Sequence, residues 1–240
     1  MPHPTLTWLG HGTFLLQSGG GRRILLDAWV AHNPACPPAW KTRALEGLDA
    51  LLISHGHGDH VHDAVPIASA TSARVVAIFE IAHWLLGKGV PGERVVAMNK
   101  GGTVDLGGVA ATMVRAEHSC GISEGDQILY GGEACGFVLT LEDGRRVYHA
   151  GDTAVFGDMR LIAEFWQPEV AVLPIGGHFT MDPEQAAYAC GLLGVRAVVP
   201  GHYATFPVLR GTPDDLRRAL AARGLQVEVR STEPGGSVVC

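Results

Sequence analysis

Short apolar runs separated by Gly-rich turns open this chain. Thr5 to Leu9, Thr13 to Gln17 and Arg22 to Asp27 each predict a strand. The block Leu48 to Ser54 is apolar, rich in Leu and Ile and too short for a helix, so it predicts a buried strand. A helix is expected from about Asp63 to Ser72, a strand at Arg74 to Ile78 and a short helix at Ile81 to Gly87. Val109 to Ala116, Gly136 to Leu141, Arg145 to Tyr148, Glu169 to Leu173 and Ala197 to Val199 read as further strands, with a helix at Phe156 to Trp166 among them. Two later helices have their starts written in the sequence. Asp182 as N-cap, Pro183 at the first position, Gln185 in a capping-box pattern and Gly194 past the end frame one of them. Thr212-Pro213-Asp214-Asp215 and Gly224 frame the other. Strands alternating with helices predict an α/β fold.

Composition narrows the class. The 240 residues contain no Ser/Pro-rich linker or charge block, so a single domain over residues 1–240 is expected. With 47% hydrophobic and 18% charged residues there is ample material for a core. A net charge of −6 gives no basic footprint, and nucleic acid is not an expected partner. No apolar run approaches the roughly 20 residues of a membrane span. Met1-Pro2-His3-Pro4 has neither the basic nor the apolar region of a secretory signal. A cytoplasmic protein without membrane insertion is therefore expected, acting on a small molecule, with homo-oligomers left open. Cys36, Cys120, Cys135, Cys190 and Cys240 form no CxxC pair, and reduced, buried thiols are expected.

The chemistry is concentrated in Ser54-His55-Gly56-His57-Gly58-Asp59-His60-Val61. Three imidazoles and one carboxylate so close together are expensive to hold without a cation, and both groups are ligands for divalent metals. Leaving a strand in extended conformation, His55 and His57 face the same way. Gly56 and Gly58 let the chain turn, so that Asp59 and His60 aim at a neighbouring position. Two adjacent metal subsites follow. The remaining ligand-type residues fall where apolar strands end: His118 after Val109 to Ala116, Asp152 after Arg145 to Tyr148, His178 after Glu169 to Leu173 and His202 after Ala197 to Val199. In α/β architectures the carboxyl ends of strands converge on one crevice, so these side chains are expected to meet the first motif in space.

The ordered set His55, His57, Asp59, His60, His118, Asp152 and His202 resembles the metallo-β-lactamase superfamily. Trp8-Leu9-Gly10-His11, Tyr148 to Thr153, Leu173 to Met181 and Gly201 to Pro207 resemble its metal-dependent hydrolases related to lactonase-type and phospholipase D-type members. The resemblance implies an αββα sandwich with a dinuclear site at one edge. It implies that His55, His57 and His118 hold one metal and Asp59, His60 and His202 the other, with Asp152 bridging through its two oxygens. Zinc is the expected metal, with manganese or iron as alternatives, and a hydroxide shared by the ions would cleave a phosphodiester or lactone. Asp59, His11 and His178 are the candidate catalytic residues, the two histidines as substrate contacts or proton donors, or as support for the ligands. A diiron redox protein and a nuclease-like module share the fold, but the former normally works with a flavin domain and the latter carries an inserted clamp domain.

Several neighbours stay open. His62 lines the entrance or faces solvent at a helix start. Asp63 and His149 are expected to orient ligands, since metal-bound imidazoles give their other N–H to a fixed acceptor. His3, His32 and His83 are expected to be ordinary surface or packing residues. The Gly-rich stretch from Gly121 to Gly136 is either a loop covering the site or a hairpin connection. Phe179, Met181, Tyr203 and Phe206 are either cleft walls or core.

Overall fold

The computed structural model of the protein describes residues 2–240; Met1, the first residue of the expected domain, lies outside them. In the first half the elements are β1 (Thr5–Trp8), β2 (Phe14–Gln17), β3 (Arg23–Leu26), α1 (Trp40–Arg43), β4 (Ala50–Leu52), α2 (Gly58–Val61), α3 (Ala64–Ala70), β5 (Arg74–Ile78), α4 (Phe79–Gly87) and β6 (Val95–Met98). The second half contains β7 (Thr103–Asp105), β8 (Ala110–Arg115), β9 (Gly121–Glu124), β10 (Gln127–Tyr130), β11 (Cys135–Thr140), β12 (Arg146–His149), α5 (Met159–Trp166), β13 (Val170–Pro174), α6 (Pro183–Leu193), β14 (Ala197–Gly201), α7 (Pro213–Ala222), β15 (Glu228–Val229) and β16 (Ser237–Val239).

Two seven-stranded sheets result, one in the order β16-β1-β2-β3-β4-β5-β6, the other β15-β14-β13-β12-β11-β8-β7. Each changes from antiparallel to parallel pairing at one strand, β3 in the first sheet and β12 in the second. The parallel strands β4, β13 and β14 are buried along their whole length, which is why their sequences are continuous apolar runs. One connected apolar core runs through both sheets. Helix α4 covers β5 and β6, while α5, α6 and α7 lie side by side over the second sheet. The architecture is the αββα sandwich. Among the described residues no helix is long and apolar enough to cross a membrane.

The cap signals act as the sequence suggests. The Asp182 carboxylate accepts from the Gln185 amide, and Thr212 and Asp215 form a reciprocal capping box. The expected helix from Asp63 is shorter, α3 alone, and a separate four-residue turn, α2, forms inside the metal motif because His57 is extended and serves as its N-cap. Helix α5 starts three residues later than expected, at Met159. Strands β6, β7, β15 and β16 escape sequence reading because they are short and at most half-buried, and β7 and β15 in addition carry no apolar run. The Gly-rich stretch after His118 is the hairpin β9–β10, seated on the metal motif where a Cβ on Gly56 would meet Ile122 at 2.7 Å.

Candidate metal centre

Both sheets deliver polar residues just past the carboxyl ends of strands on one edge of the sandwich. Strand β3 runs into Asp27, β4 into His55 and the turn α2, β8 into His118, β12 into Asp152 and β14 into His202. Two groups of side chains form. In the first, His55 Nε2 lies 3.1 Å from His57 Nδ1, which is 3.3 Å from His118 Nε2. In the second, Asp59 Oδ2 lies 2.8 Å from His11 Nε2, 3.4 Å from His60 Nε2 and 3.6 Å from His202 Nε2.

Asp152 stands between them. Its Oδ2 is 3.0 Å from His202 Nε2 and 3.3 Å from His60 Nε2, and 3.8 Å and 3.9 Å from the Nε2 atoms of His118 and His55. A single oxygen therefore faces both groups, where the family pattern suggested a bridge through both.

The protonation states divide along the same line. Burial lowers the pKa values of His55, His57 and His118, so the first group consists of neutral imidazoles, the form that binds metal. Burial alone would raise the carboxyls of Asp27, Asp59 and Asp152, but the imidazoles facing them outweigh it and hold all three below the ordinary carboxylate range. Burial likewise opposes charge on His60 and His202, yet the carboxylates prevail: His60 is pushed well up and His202 up to about 9. Without a cation, protons on these two imidazoles offset the buried negative charge.

Atoms left without partners test whether a metal fits. His60 Nδ1 is hydrogen-bonded to Asp27 Oδ2 at 2.8 Å, so its Nε2 presents the other face of the ring to Asp59 and Asp152. That Nε2 is buried and has no hydrogen-bond partner. An unpaired buried nitrogen costs about 1–3 kcal/mol. In the first group three lone-pair-bearing nitrogens point at one another. Divalent cations satisfy both arrangements, and the donor set of imidazoles and carboxylates suits zinc, manganese or iron.

Residues 22–203 match a family described as a beta-lactamase superfamily domain. The chain belongs to this superfamily. A UPF0173 metal-dependent hydrolase of Roseiflexus castenholzii is 51% identical over 235 residues, which cover 98% of this chain and 96% of the relative. Another from Solibacter usitatus is 52% identical over 233 residues, with 97% and 98% covered. Igni18, a metallo hydrolase from the hyperthermophilic archaeon Ignicoccus hospitalis, has a TM-score of 0.85 at 35% identity and covers 100% of this chain with 99% of its own. This beta-lactamase superfamily member is a metal-dependent hydrolase of the metallo-β-lactamase fold.

The expected superfamily residues His55, His57, Asp59, His60, His118, Asp152 and His202 are all brought together, and so is His11. Both ring nitrogens of His11 are engaged, Nε2 with Asp59 and Nδ1 with Thr205 Oγ1 at 3.0 Å, so the ring supports Asp59 and has no nitrogen left to give a proton to substrate. His178 is not brought to the centre. Beyond β13 the chain turns through Gly177 and His178, both with positive φ, and the exposed imidazole lines a separate depression with Asp182 and Arg210.

Asp63 also departs from expectation. Its carboxylate accepts from the Val30 and His32 amides and faces the rings of His32 and His62, rather than orienting any residue of the two groups. His149 Nε2 lies 3.3 Å from Asp27 Oδ2 and so acts through Asp27. That aspartate was missed by sequence reasoning although it ends a strand by the same rule as the others. It accepts from the Ser54 amide and hydroxyl as well as from His60.

A cleft of about 540 Å³ opens over the centre. Phe179 and Phe206 line it, as does Trp29, which the sequence did not flag. Met181 and Tyr203 belong to the core instead, Tyr203 stacked on Trp8 with ring centroids 4.7 Å apart. His62 stands at the cleft wall.

Proposed function

We propose that this cleft hydrolyses a small ester-type substrate, a phosphodiester or a lactone, with two divalent metal ions. His55, His57 and His118 hold one ion, Asp59, His60 and His202 the other, and Asp152 is shared. The observation that carries this reading is the position of Asp152 Oδ2, 3.0–3.9 Å from imidazole nitrogens of both groups. Zinc fits the borderline-soft imidazole donors, with manganese and iron as the other metals such a set accepts.

Bound there, the ions would lower the pKa of a water towards neutrality and polarise the scissile carbonyl or phosphoryl oxygen. The chain's own residues do the positioning. Asp27 fixes the tautomer and orientation of His60 through Nδ1, and His149 and Ser54 hold Asp27. His11 holds Asp59, itself steadied by Thr205. Trp29, Phe179 and Phe206 offer apolar surface for the part of the substrate that does not react.

Charge favours a small substrate. Among the described residues lining the cleft there is neither Lys nor Arg, and the chain's net charge is −6. A polyanion would find no counter-charges to replace its own, which supports a neutral or singly charged ester and argues against nucleic acid as a partner.

The test is turnover of a chromogenic phosphodiester and of a chromogenic lactone by protein reconstituted separately with zinc and manganese, with Asp59→Ala as the control for contaminants. Metal-dependent turnover of either substrate, lost in the variant, supports the proposal and selects between the two classes. Absence of turnover on both, in protein that binds two ions, overturns it.

A further inference from the structure

Apart from the two groups around Asp152, three ligand-type side chains meet at the cleft mouth. Asp63 is buried at the start of α3, with 1% of its surface exposed, and its Oδ2 accepts from the Val30 amide at 2.7 Å and the His32 amide at 3.2 Å. Those two bonds fix the carboxylate and leave Oδ1 facing outward. Oδ1 meets His32 Nδ1 in close contact and lies 3.4 Å from His62 Nδ1. The two imidazoles are exposed, with ring centroids 4.2 Å apart, and the three donor atoms all lie within 4.8 Å of one another.

From this geometry we infer that His32, His62 and Asp63 form a further transition-metal site, distinct from the centre around Asp152. The donor set is two neutral imidazole nitrogens and one carboxylate oxygen, the combination that binds zinc, copper and nickel. Ligands about 2.0–2.2 Å from a tetrahedral ion stand about 3.3 Å from each other, and the His62–Asp63 separation of 3.4 Å has that value. The same separation is long for a hydrogen bond. The oxygen can accept from both Nδ1 atoms, but only His32 stands close enough to bond it well, whereas a shared cation would serve both rings. On binding, the ion takes the place of the proton between His32 Nδ1 and Asp63; a neutral ring then carries that proton on Nε2 instead, and a protonated ring releases it to solvent. The fourth position is left to water or to an oxygen of a molecule in the cleft, whose wall includes His62.

The site is built for occupancy because its buried member is already held. Asp63 needs no rearrangement, and the two exposed rings lose only side-chain freedom. Exposure also makes it the weaker of the metal sites, since water competes for every ligand.

Equilibrium dialysis of the full chain against rising free zinc, with metal counted by mass spectrometry, tests this in wild type, His32→Ala and His62→Ala. Both substituted rings are exposed, so the fold is expected to survive, and circular dichroism checks it. Wild type is expected to bind one ion per chain more than either variant. Copper loaded at that last site should show an electron paramagnetic resonance pattern from two nitrogens in wild type and lose it in both variants. Equal ion counts in wild type and either variant would overturn the site, as would a copper signal unchanged by the substitutions. His62→Gln serves as a second probe if His62→Ala disturbs the fold, with the same loss of one ion expected.

Discussion

Asp27 Oδ2 and His60 Nδ1 lie 2.8 Å apart, and both residues are withdrawn from solvent. Since Asp27 can only accept, a proton stays on Nδ1 of His60, and Nε2, turned towards Asp59 and Asp152, is the nitrogen that gives up its proton when a metal binds. The chain thereby sets which nitrogen of His60 is offered to a metal before any metal arrives.

Replacing Asp27 by Asn tests this. Asp27 has φ of +63°, a left-handed conformation that Asn also tolerates, so the backbone survives the change. The Asn oxygen can still accept from Ser54, but its NH₂ now faces His60 Nδ1 and favours the other tautomer. Metal affinity should fall by about 10–100-fold, the usual loss when such an outer partner is removed. Competition against a chromogenic chelator measures it, and unchanged affinity would mean that Asp27 does not control His60.

Asp152 and Asp59 should separate by stoichiometry. Asp152 Oδ2 reaches both groups of imidazoles, whereas Asp59 Oδ2 reaches only His11, His60 and His202. Asp152→Ala is therefore expected to weaken binding of both ions and abolish hydrolysis, with circular dichroism unchanged. Asp59→Ala should weaken one ion and spare the one held by His55, His57 and His118. Equal losses in the two variants would remove the case for Asp152 as the shared ligand.

Gly12 leaves room for His60. A Cβ at position 12 would stand 2.7 Å from His60 Cε1, and the ring cannot swing aside without breaking its bond to Asp27. Gly12→Ala should displace the imidazole and lower metal affinity by about tenfold or more, while the neutral group of His55, His57 and His118 keeps its ion. Metal content by mass spectrometry after gel filtration reads both effects. Retention of full metal content would show that the ring shifts without loss of its ligand function.

The cluster was legible because its candidate ligands obey two local rules. His55, His57, Asp59 and His60 are dense in sequence, and His118, Asp152 and His202 each close an apolar strand. The second rule failed in both directions. It applied to Asp27 as well, but a single carboxylate after Leu25-Leu26 offers no second ligand type to mark it. It also selected His178, which two positive-φ residues carry away from the cleft, a turn that depends on tertiary packing rather than on the strand before it. Asp63 reaches back 31 residues to His32 and 33 to Val30, contacts set by how α3 docks against the loop after β3. Trp29 and Phe206 look like Met181 and Tyr203 in sequence, since an aromatic or apolar residue at a loop carries no sign of whether it faces cleft or core. Half-exposed edge strands such as β7 and β15 lack the apolar run that reveals a strand.

The cysteines predict an alkaline limit to stability. Cys36, Cys120, Cys135, Cys190 and Cys240 are free and buried. Burial pushes the thiols of Cys36 and Cys120 up to about 11 and those of Cys190 and Cys240 up to about 12, with Cys135 also raised. An unfolded chain ionises its thiols near 8.5. A folded pKa above the unfolded one means that this contribution is fully present below about 8.5 and is lost as pH rises through the folded values. The thiol contribution to the denaturant midpoint should therefore hold steady from pH 7 to about 8.5 and fall as pH rises towards 11, on top of the loss that His202, raised to about 9, gives metal-free protein as pH rises from 6.5 to about 9. Within the same fold the thiols should resist a disulfide reagent at pH 7 and all react once the chain is unfolded, because the thiolate is the reactive form and burial withholds it. Removing one ionisable thiol isolates the cause. Cys190→Ala should show a shallower alkaline fall than wild type, and identical slopes would assign the loss to other groups, such as Tyr203, whose hydroxyl burial also raises to about 12.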